Sequence, residues 1–186
     1  MSEFRVSSRY AKSLLELSIE KNALEGVLAD MKQLDAIANV NRELGLCLKS
    51  PIITFDKKLK VLKALFETTG NAITLAFFDI VARKNRADLL LDISREFQKQ
   101  YNLHMGIQVA DLTTTFPITE ELRAKFIATV KEISGLEKVE LNEKINADLI
   151  GGFVLKVNDR QLDESLSSKL RALRLEFSQN HYESKI

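Results

Sequence analysis

The chain has 186 residues, room for one domain or two small ones, and its 45% hydrophobic and 28% charged residues exclude a disordered composition. A formal net charge of +1 gives no electrostatic reason to expect a polyanion as partner, while the single cysteine, Cys47, excludes an internal disulfide and fits a reducing compartment. Met1-Ser2-Glu3-Phe4-Arg5 carries no apolar run behind a positive segment, so no secretory signal is expected; the most apolar stretch, Ala72 to Ala82, has about half of the ~20 residues a bilayer span needs.

The first hundred residues read as short helices with short connections. Tyr10, Leu14 and Leu17 lie on one stripe, widened by Ala11, Leu15 and Ile19, with Ser7 or Ser8 as the expected N-cap. Asn22 is expected to open a second helix, with Glu25 three residues on in a capping-box arrangement. Leu24, Val27, Leu28, Met31, Leu34 and Ala38 keep its amphipathic spacing. A brief third helix after Asn41 carries Leu44, Cys47 and Leu48, and Ser50-Pro51 ends it, because the residue before proline is pushed out of the helical region. Thr54 caps a fourth, with Phe55, Leu59, Leu62 and Phe66 at helical spacing, Lys57, Lys58, Lys60 and Lys63 on its other faces, and Gly70 as a left-handed stop. The fifth, from about Ala72 to Lys84, is apolar nearly all round; such a helix is either central in its bundle or has a second face covered by a partner. A sixth carries Leu90, Ile93, Phe97 and Tyr101 and ends near His104 to Gly106.

Past Gly106 the period changes. Ile107, Val109 and Thr113 to Phe116 suggest a strand, stopped by Pro117. Thr119 caps a helix opened by Glu120 and Glu121, with Leu122, Phe126, Ile127, Val130 and Ile133 as its apolar face and Gly135 as its end. Val139 and Leu141 alternate with charged residues as a half-buried strand. Gly152 to Val157 is another strand, Asn158-Asp159 a tight turn, and Arg160 to Asp163 an antiparallel return. Ser165 caps a last helix with Leu166, Leu170, Leu173 and Phe177 on its face; Ser178 to Ile186 is polar and frayed. The expected class is α+β: an N-terminal six-helix bundle over residues 1–104, then a small mixed domain over 105–186 with a β-hairpin or short sheet and two helices.

Little here points to catalysis. No GxxxxGK[ST] phosphate loop is present, and Gly151-Gly152 leads into a strand, not a helix, so it cannot form a helix-N-terminus phosphate cradle. That pair is either a close backbone approach to a partner or a strand start where a side chain would clash. His104 and His181 are far apart, and one cysteine cannot build a zinc site with them. Cys47 reads as a small buried apolar residue, and the abundant carboxylates sit on solvated helix faces. Arg83, Lys84 and Arg86 at the end of the fifth helix, and Arg160, Lys169, Arg171 and Arg174 near the C-terminus, are not interleaved with exposed aromatics of the kind that stack on bases. No catalytic residue, cofactor or metal is expected, and no nucleic acid.

Three segments resemble one family. Ser8-Arg9-Tyr10-Ala11-Lys12-Ser13-Leu14, followed by Glu16-Leu17, is similar to the opening helix of ATP synthase delta subunits, relatives of the mitochondrial oligomycin-sensitivity-conferring protein. Ala82-Arg83-Lys84-Asn85-Arg86 with Leu89, Ile93 and Phe97 resembles that family's turn between its fifth and sixth helices. The strongest likeness is Leu149-Ile150-Gly151-Gly152-Phe153-Val154-Leu155-Lys156-Val157-Asn158-Asp159, then Leu162-Asp163 and Ser165, with Lys169-Leu170 and Leu173 beyond. Two positions depart from the pattern: Asn158 and Glu164 stand where the family usually has glycine.

The resemblance implies a non-catalytic stator subunit of a proton-translocating F-type ATP synthase. In that family the N-terminal bundle binds N-terminal helices of the alpha subunits, one mode placing such a helix between the first and fifth bundle helices. The matching positions are Tyr10, Leu14, Phe77, Ile80 and Val81. The C-terminal domain grips the b subunits of the peripheral stalk, for which Gly151, Gly152, Asp159, Asp163, Ser165 and Arg171 are the candidates. One copy per complex is implied, monomeric when isolated, at the cytoplasmic face of a bacterial membrane and peripheral to it through the complex. The rival expectations are a stand-alone adaptor using the same two surfaces, a nucleic-acid-binding protein whose affinity falls steeply with salt, and an enzyme with a concave polar pocket.

Overall fold

The computed structural model describes residues 3–67 and 70–178; His181 and the tail beyond Ser178 lie outside the described residues. In chain order the elements are α1 (Glu3–Glu20), α2 (Leu24–Val40), α3 (Arg42–Lys49), α4 (Phe55–Phe66), α5 (Ala72–Arg83), a 3₁₀ turn (Ala87–Leu89), α6 (Leu90–Met105), β1 (Ile107–Thr114), α7 (Glu120–Ser134), β2 (Lys138–Ile145), a second 3₁₀ turn (Ala147–Leu149), β3 (Phe153–Val157), β4 (Arg160–Asp163) and α8 (Leu166–Ser178). The protein is thus α+β, with eight α-helices and one four-stranded mixed sheet among the described residues. It divides into two compact units between His104 and Met105.

The first unit is helical because its apolar residues recur every three or four positions and converge on one core. Leu14, Met31, Leu34, Leu48, Leu62, Phe66, Phe78, Ile93 and Phe97 are all buried there. The rings of Phe66 and Phe78 lie 5.4 Å apart and tie α4 to α5, while the Ser94 hydroxyl donates to the Met31 carbonyl (2.8 Å) and ties α6 to α2.

Helix ends differ from the sequence-based expectation in three places. α1 begins at Glu3, so Ser7 and Ser8 lie inside it; Ser7 is buried and its hydroxyl donates back to the Glu3 carbonyl (3.0 Å). Asn22 does not open α2 but closes α1. At φ 53° it lets the Ala23 N–H reach the Ser18 carbonyl (2.9 Å) and its own N–H reach Ile19 (3.1 Å), the paired bonds of a Schellman end. Asn85 at φ 52° closes α5 in the same way, through Arg86 to Val81 (3.1 Å) and Asn85 to Ala82 (2.9 Å). Gly70 is absent from the positive-φ positions; what requires glycine there is space, since a Cβ would come within 2.6 Å of the Phe66 carbonyl oxygen. Lys58 is not on a solvated face either: it is buried, and its ammonium donates to the Leu48 carbonyl (2.6 Å), one of the last carbonyls of α3 left without a helical partner.

In the second unit the strand order is β2-β1-β3-β4. The expected β3–β4 hairpin is present, with Val157 opposite Arg160, but it is the edge of a larger sheet in which β1 runs antiparallel to β3 and parallel to β2. α7 makes the crossover that a parallel pair requires. Residues alternate in burial along β1, so that Gln108, Ala110, Leu112 and Thr114 face inward, and Leu112 stands opposite Leu155. α7 covers this face through Val130 and Phe126, whose ring meets Phe153 edge-on at 4.9 Å. Phe116, expected within the strand, lies beyond it and is exposed.

At the β3–β4 turn only Asn158, of the two central residues, takes positive φ (51°), which is the type II′ pattern that favours glycine. Asparagine is held here by a second contact. Its amide exchanges two hydrogen bonds with the buried Gln108 amide, 2.9 and 3.1 Å, across β1 and β3.

Two candidate partner-binding faces

α5 is placed by a buried carboxylate. Asp30 on α2 accepts from the Asn71 N–H (2.9 Å) and the Thr74 hydroxyl (2.5 Å), and Asn71 in turn caps the helix by accepting from the Ile73 N–H (3.0 Å). A negative charge beside the N-terminal N–H groups is favourable both as hydrogen-bond acceptor and against the helix dipole. An aspartate inside the otherwise apolar stripe of α2, between Val27 and Leu34, was its signal in the sequence.

The five predicted residues of the first face meet at the α1–α5 junction but divide by burial. Tyr10 and Phe77 contact edge to face, centroids 6.3 Å apart, which makes the two helices neighbours. Leu14, Phe77 and Val81 are buried and form the floor; they belong to the core. Tyr10 is half-buried and forms a wall. Ile80 is 54% exposed. One residue along a helix turns the side chain by about 100°, which is why Val81 points inward and Ile80 outward. Ala72 and Ala76 are exposed two turns and one turn before Ile80, with Ala76 turned toward α4, and Leu17 stays 40% exposed along α1. A helix apolar nearly all round therefore serves both roles at once: core on one side, uncovered on the other.

Tyr10 has a partner that spacing alone did not predict. The Arg86 guanidinium donates to its hydroxyl (3.2 Å) and lies 5.7 Å from its ring centroid, a geometry that adds cation–π attraction. Val6, Arg9, Tyr10, Ser13 and Arg86 enclose a pocket of about 290 Å³. A larger open cavity, about 720 Å³, lies on the α4 side of α5, where Ala64, Leu75 and Ala76 form an apolar strip between the charged walls of Lys60, Lys63, Glu67, Asp79 and Arg83.

The second face is α8, which has no buried residue. Leu166, Leu170, Leu173 and Phe177, the apolar face read from the sequence, are all exposed, Phe177 by 83%. Four such side chains on one stripe would contribute on the order of 1.5–3 kcal/mol each if covered.

The residues predicted for this side cluster at the start of α8. Ser165 is fully buried; its hydroxyl donates to Asp163 (2.7 Å) and accepts from the Ser168 N–H (3.2 Å), a complete N-cap. Asp163 also accepts from the Ser165 N–H (3.0 Å) and the Ser168 hydroxyl (2.7 Å). The glycine pair makes room for this corner. A Cβ on Gly151 would come within 2.7 Å of Leu166, and one on Gly152, at φ 77°, would collide with the Glu164 carbonyl oxygen. The close approach is thus to the chain's own atoms, the Leu166 side chain at Gly151 and the Glu164 backbone at Gly152. Glu164 pairs with Lys169 (2.7 Å), and Asp159 and Arg171 are exposed, Arg171 near enough to Asp163 for its charge to act on that carboxyl. Ile150, just before the pair, holds a positive φ of 64° that is rare for a branched residue.

The hydrogen bonds from the Ser165 hydroxyl and N–H, then the Ser168 hydroxyl, hold the Asp163 carboxyl below the usual carboxylate range, with a smaller pull from the Arg171 charge. A depressed folded-state value means that the cap's contribution to stability is complete above the ordinary aspartate value of about 3.9 and is lost as pH falls through the lower folded value. We expect Ser165→Ala to raise the Asp163 titration midpoint read by carboxyl NMR. Asp163→Asn should lower the urea midpoint at pH 7, and the difference from wild type should disappear in acid.

Among the described residues no three or more His, Cys, Asp or Glu side chains converge as a metal site, and no helix is long and apolar enough to cross a membrane.

A profile of the family described as ATP synthase delta (OSCP) subunit matches residues 6–177. The ATP synthase subunit delta of Cytophaga hutchinsonii is 42% identical over 179 residues, covering 96% of this chain and 97% of the relative. That of Christiangramia forsetii is 37% identical over 182 residues, 98% of each chain. That of Prochlorococcus marinus is 34% identical over 173 residues, 93% of this chain and 96% of the relative. In fold, a chain of the cryo-EM structure of the Toxoplasma gondii mitochondrial ATP synthase hexamer matches with a TM-score of 0.72 at 21% identity, covering 92% of this chain and 97% of that one. At that identity the likeness is one of fold alone.

Proposed function

The chain belongs to the ATP synthase delta (OSCP) subunit family, a structural and non-catalytic part of the peripheral stalk, and from that premise we propose that it clamps the catalytic head to the stalk's b subunits. The observation that carries the proposal is an uncovered apolar helix face on each of the two units: Ile80 beside Tyr10 and Phe77 at the α1–α5 junction, and the leucine stripe on α8. Residues 1–104, a six-helix bundle, receive the N-terminal helix of an alpha subunit along α1 and α5. Residues 105–186 grip the b subunits through α8. Arg171 and Asp159 are available for that contact, while Gly151, Gly152, Asp163 and Ser165 act by fixing where α8 starts. One copy per complex, monomeric when isolated, would sit at the cytoplasmic face of a bacterial membrane, held there through the other subunits.

The mechanism is mechanical. A rotor turning inside the head drags the head with it unless a static strut opposes the torque. Such a joint needs slow dissociation, and helix-in-groove contacts that bury apolar surface resist ionic screening better than rim charges do. Nanomolar binding, roughly −12 kcal/mol, is the scale expected.

The two faces should fail separately. Leu170→Asp, at a side chain already 56% exposed, is expected to leave thermal unfolding unchanged and to weaken binding of a soluble b-subunit fragment by about tenfold or more, with head binding intact. Unchanged b binding would remove α8 from the joint. A chain that co-purifies with neither the ATPase head nor the stalk would end the clamp reading, and RNA or DNA affinity falling steeply with salt would favour the nucleic-acid alternative.

A further inference from the structure

We infer that the pocket formed by Arg9 and Arg86 receives an acidic side chain, Asp or Glu, of the helix that docks along α1 and α5. This inference rests on the docking proposed above and adds the polar anchor that sets the docked helix's register. The cations around this junction fall into two classes. Lys12 pairs with Glu16 (3.9 Å) and Arg83 with Asp79 (2.8 Å). Arg9 and Arg86 line the same pocket, and among the described residues neither has a carboxylate within ion-pair distance. Among those residues the Arg86 side chain hydrogen-bonds only to the Tyr10 hydroxyl, which leaves most of its five N–H donors without a protein acceptor.

Two guanidinium groups facing one space repel each other, and an anion between them relieves that repulsion while accepting several of their donors. A carboxylate is the fitting occupant because the pocket adjoins the apolar face. Tyr10 is common to both, with its ring on Phe77 and its hydroxyl on Arg86. A helix covering Ile80 would bring side chains from its next turns over this wall. The pocket, about 290 Å³, has room for one acidic side chain. Covering it would also exclude water from the pair, which strengthens the attraction against the cost of desolvating both charges and makes the choice of matching residue more specific.

The test is a binding cycle with the full-length chain and a peptide of the first 25 or so residues of the alpha subunit from the same source. Each acidic residue of the peptide is changed in turn to its amide. Arg9→Gln, at an exposed position whose side chain makes no hydrogen bond among the described residues, should weaken wild-type peptide binding by about tenfold. It should have little effect on the one amide peptide that has lost the matching carboxylate. Arg86→Gln should behave likewise, with thermal unfolding reporting any loss from its Tyr10 contact, and Arg86→Lys should restore part of the affinity.

Equal losses with every peptide, or none, would overturn the carboxylate pocket while Ile80→Asp still abolished binding and left the docking reading standing. If Ile80→Asp has no effect, or the wild-type peptide does not bind, the docking reading itself falls and this inference with it.

Discussion

Ile80→Asp should lower affinity for the alpha N-terminal peptide by about 100-fold or more, roughly 3 kcal/mol, while shifting the thermal midpoint of the free chain by no more than about 2 °C. In the free protein the new carboxylate meets water, because Ile80 is more than half exposed. In the complex it would be enclosed by an apolar helix face, and a buried charge without a well-placed partner costs several kcal/mol. Asp79 beside it already holds Arg83, while Lys84, one turn on and exposed, would offset part of that cost. Isothermal titration and differential scanning calorimetry on the same preparation read both halves. Val81→Asp is the contrasting control: that side chain is fully buried, and the variant should unfold instead of losing binding selectively. Tyr10→Asp is a poorer probe, since it removes the contacts to Phe77 and Arg86 and mixes the two effects. Retained peptide affinity in a folded Ile80→Asp chain would take α5 out of the interface.

The second large effect is in the scaffold. Gly152→Ala should destabilise the second unit by more than about 3 kcal/mol, and Gly152→Val should prevent it from folding. Two costs add at this position. A positive φ of 77° disfavours any Cβ by about 1–2 kcal/mol, and the new atom would collide with the Glu164 carbonyl, which is backbone and cannot swing away. Glu164 is tied in turn, its N–H donating to Phe153 (3.0 Å), and the next N–H but one, at Leu166, donates to Gly151 (3.0 Å). Gly135 separates the two costs. Its φ is 71°, but nothing lies within 4 Å of a Cβ there, so Gly135→Ala should cost only about 1 kcal/mol. Urea unfolding followed by far-UV circular dichroism compares the pair. Similar losses for both would mean that the Glu164 contact carries no strain.

How far the sequence could be read depended on whether a feature was local. The helices of the first unit follow from apolar spacing, and the Ser165 cap and the Asn158-Asp159 turn from residue types a few positions apart. Asn22 defeats such reading because asparagine suits both a helix N-cap and a left-handed C-terminal position, and α1 and α2 are too close in sequence to separate the two. The parallel β1–β2 pair left no local mark, since its register, Ile107 opposite Lys138, depends on α7 crossing between them. Periodicity also gave Val81 and Ile80, or Leu170 and Leu62, the same apolar standing. Whether an apolar side chain meets its own core or waits for another protein is decided by which elements pack, and that information is spread over the whole fold.

β1 is the inner strand of its sheet, bonded on one side to β2 and on the other to β3. During synthesis it leaves the ribosome well before either neighbour, and its partner for Ala110 is Val157. The helical unit, whose elements all precede Gly106, can complete itself while the rest is still being made. The later sheet must wait for nearly the last of the chain, with an apolar strand unpaired in the interval. On the clamp proposed above, a ribosome that stalls or terminates past β1 would release a half-finished product able to seat on the head but lacking the second unit's grip on the stalk. Such fragments would compete with intact subunits for assembly, which gives cellular proteolysis a reason to remove them quickly.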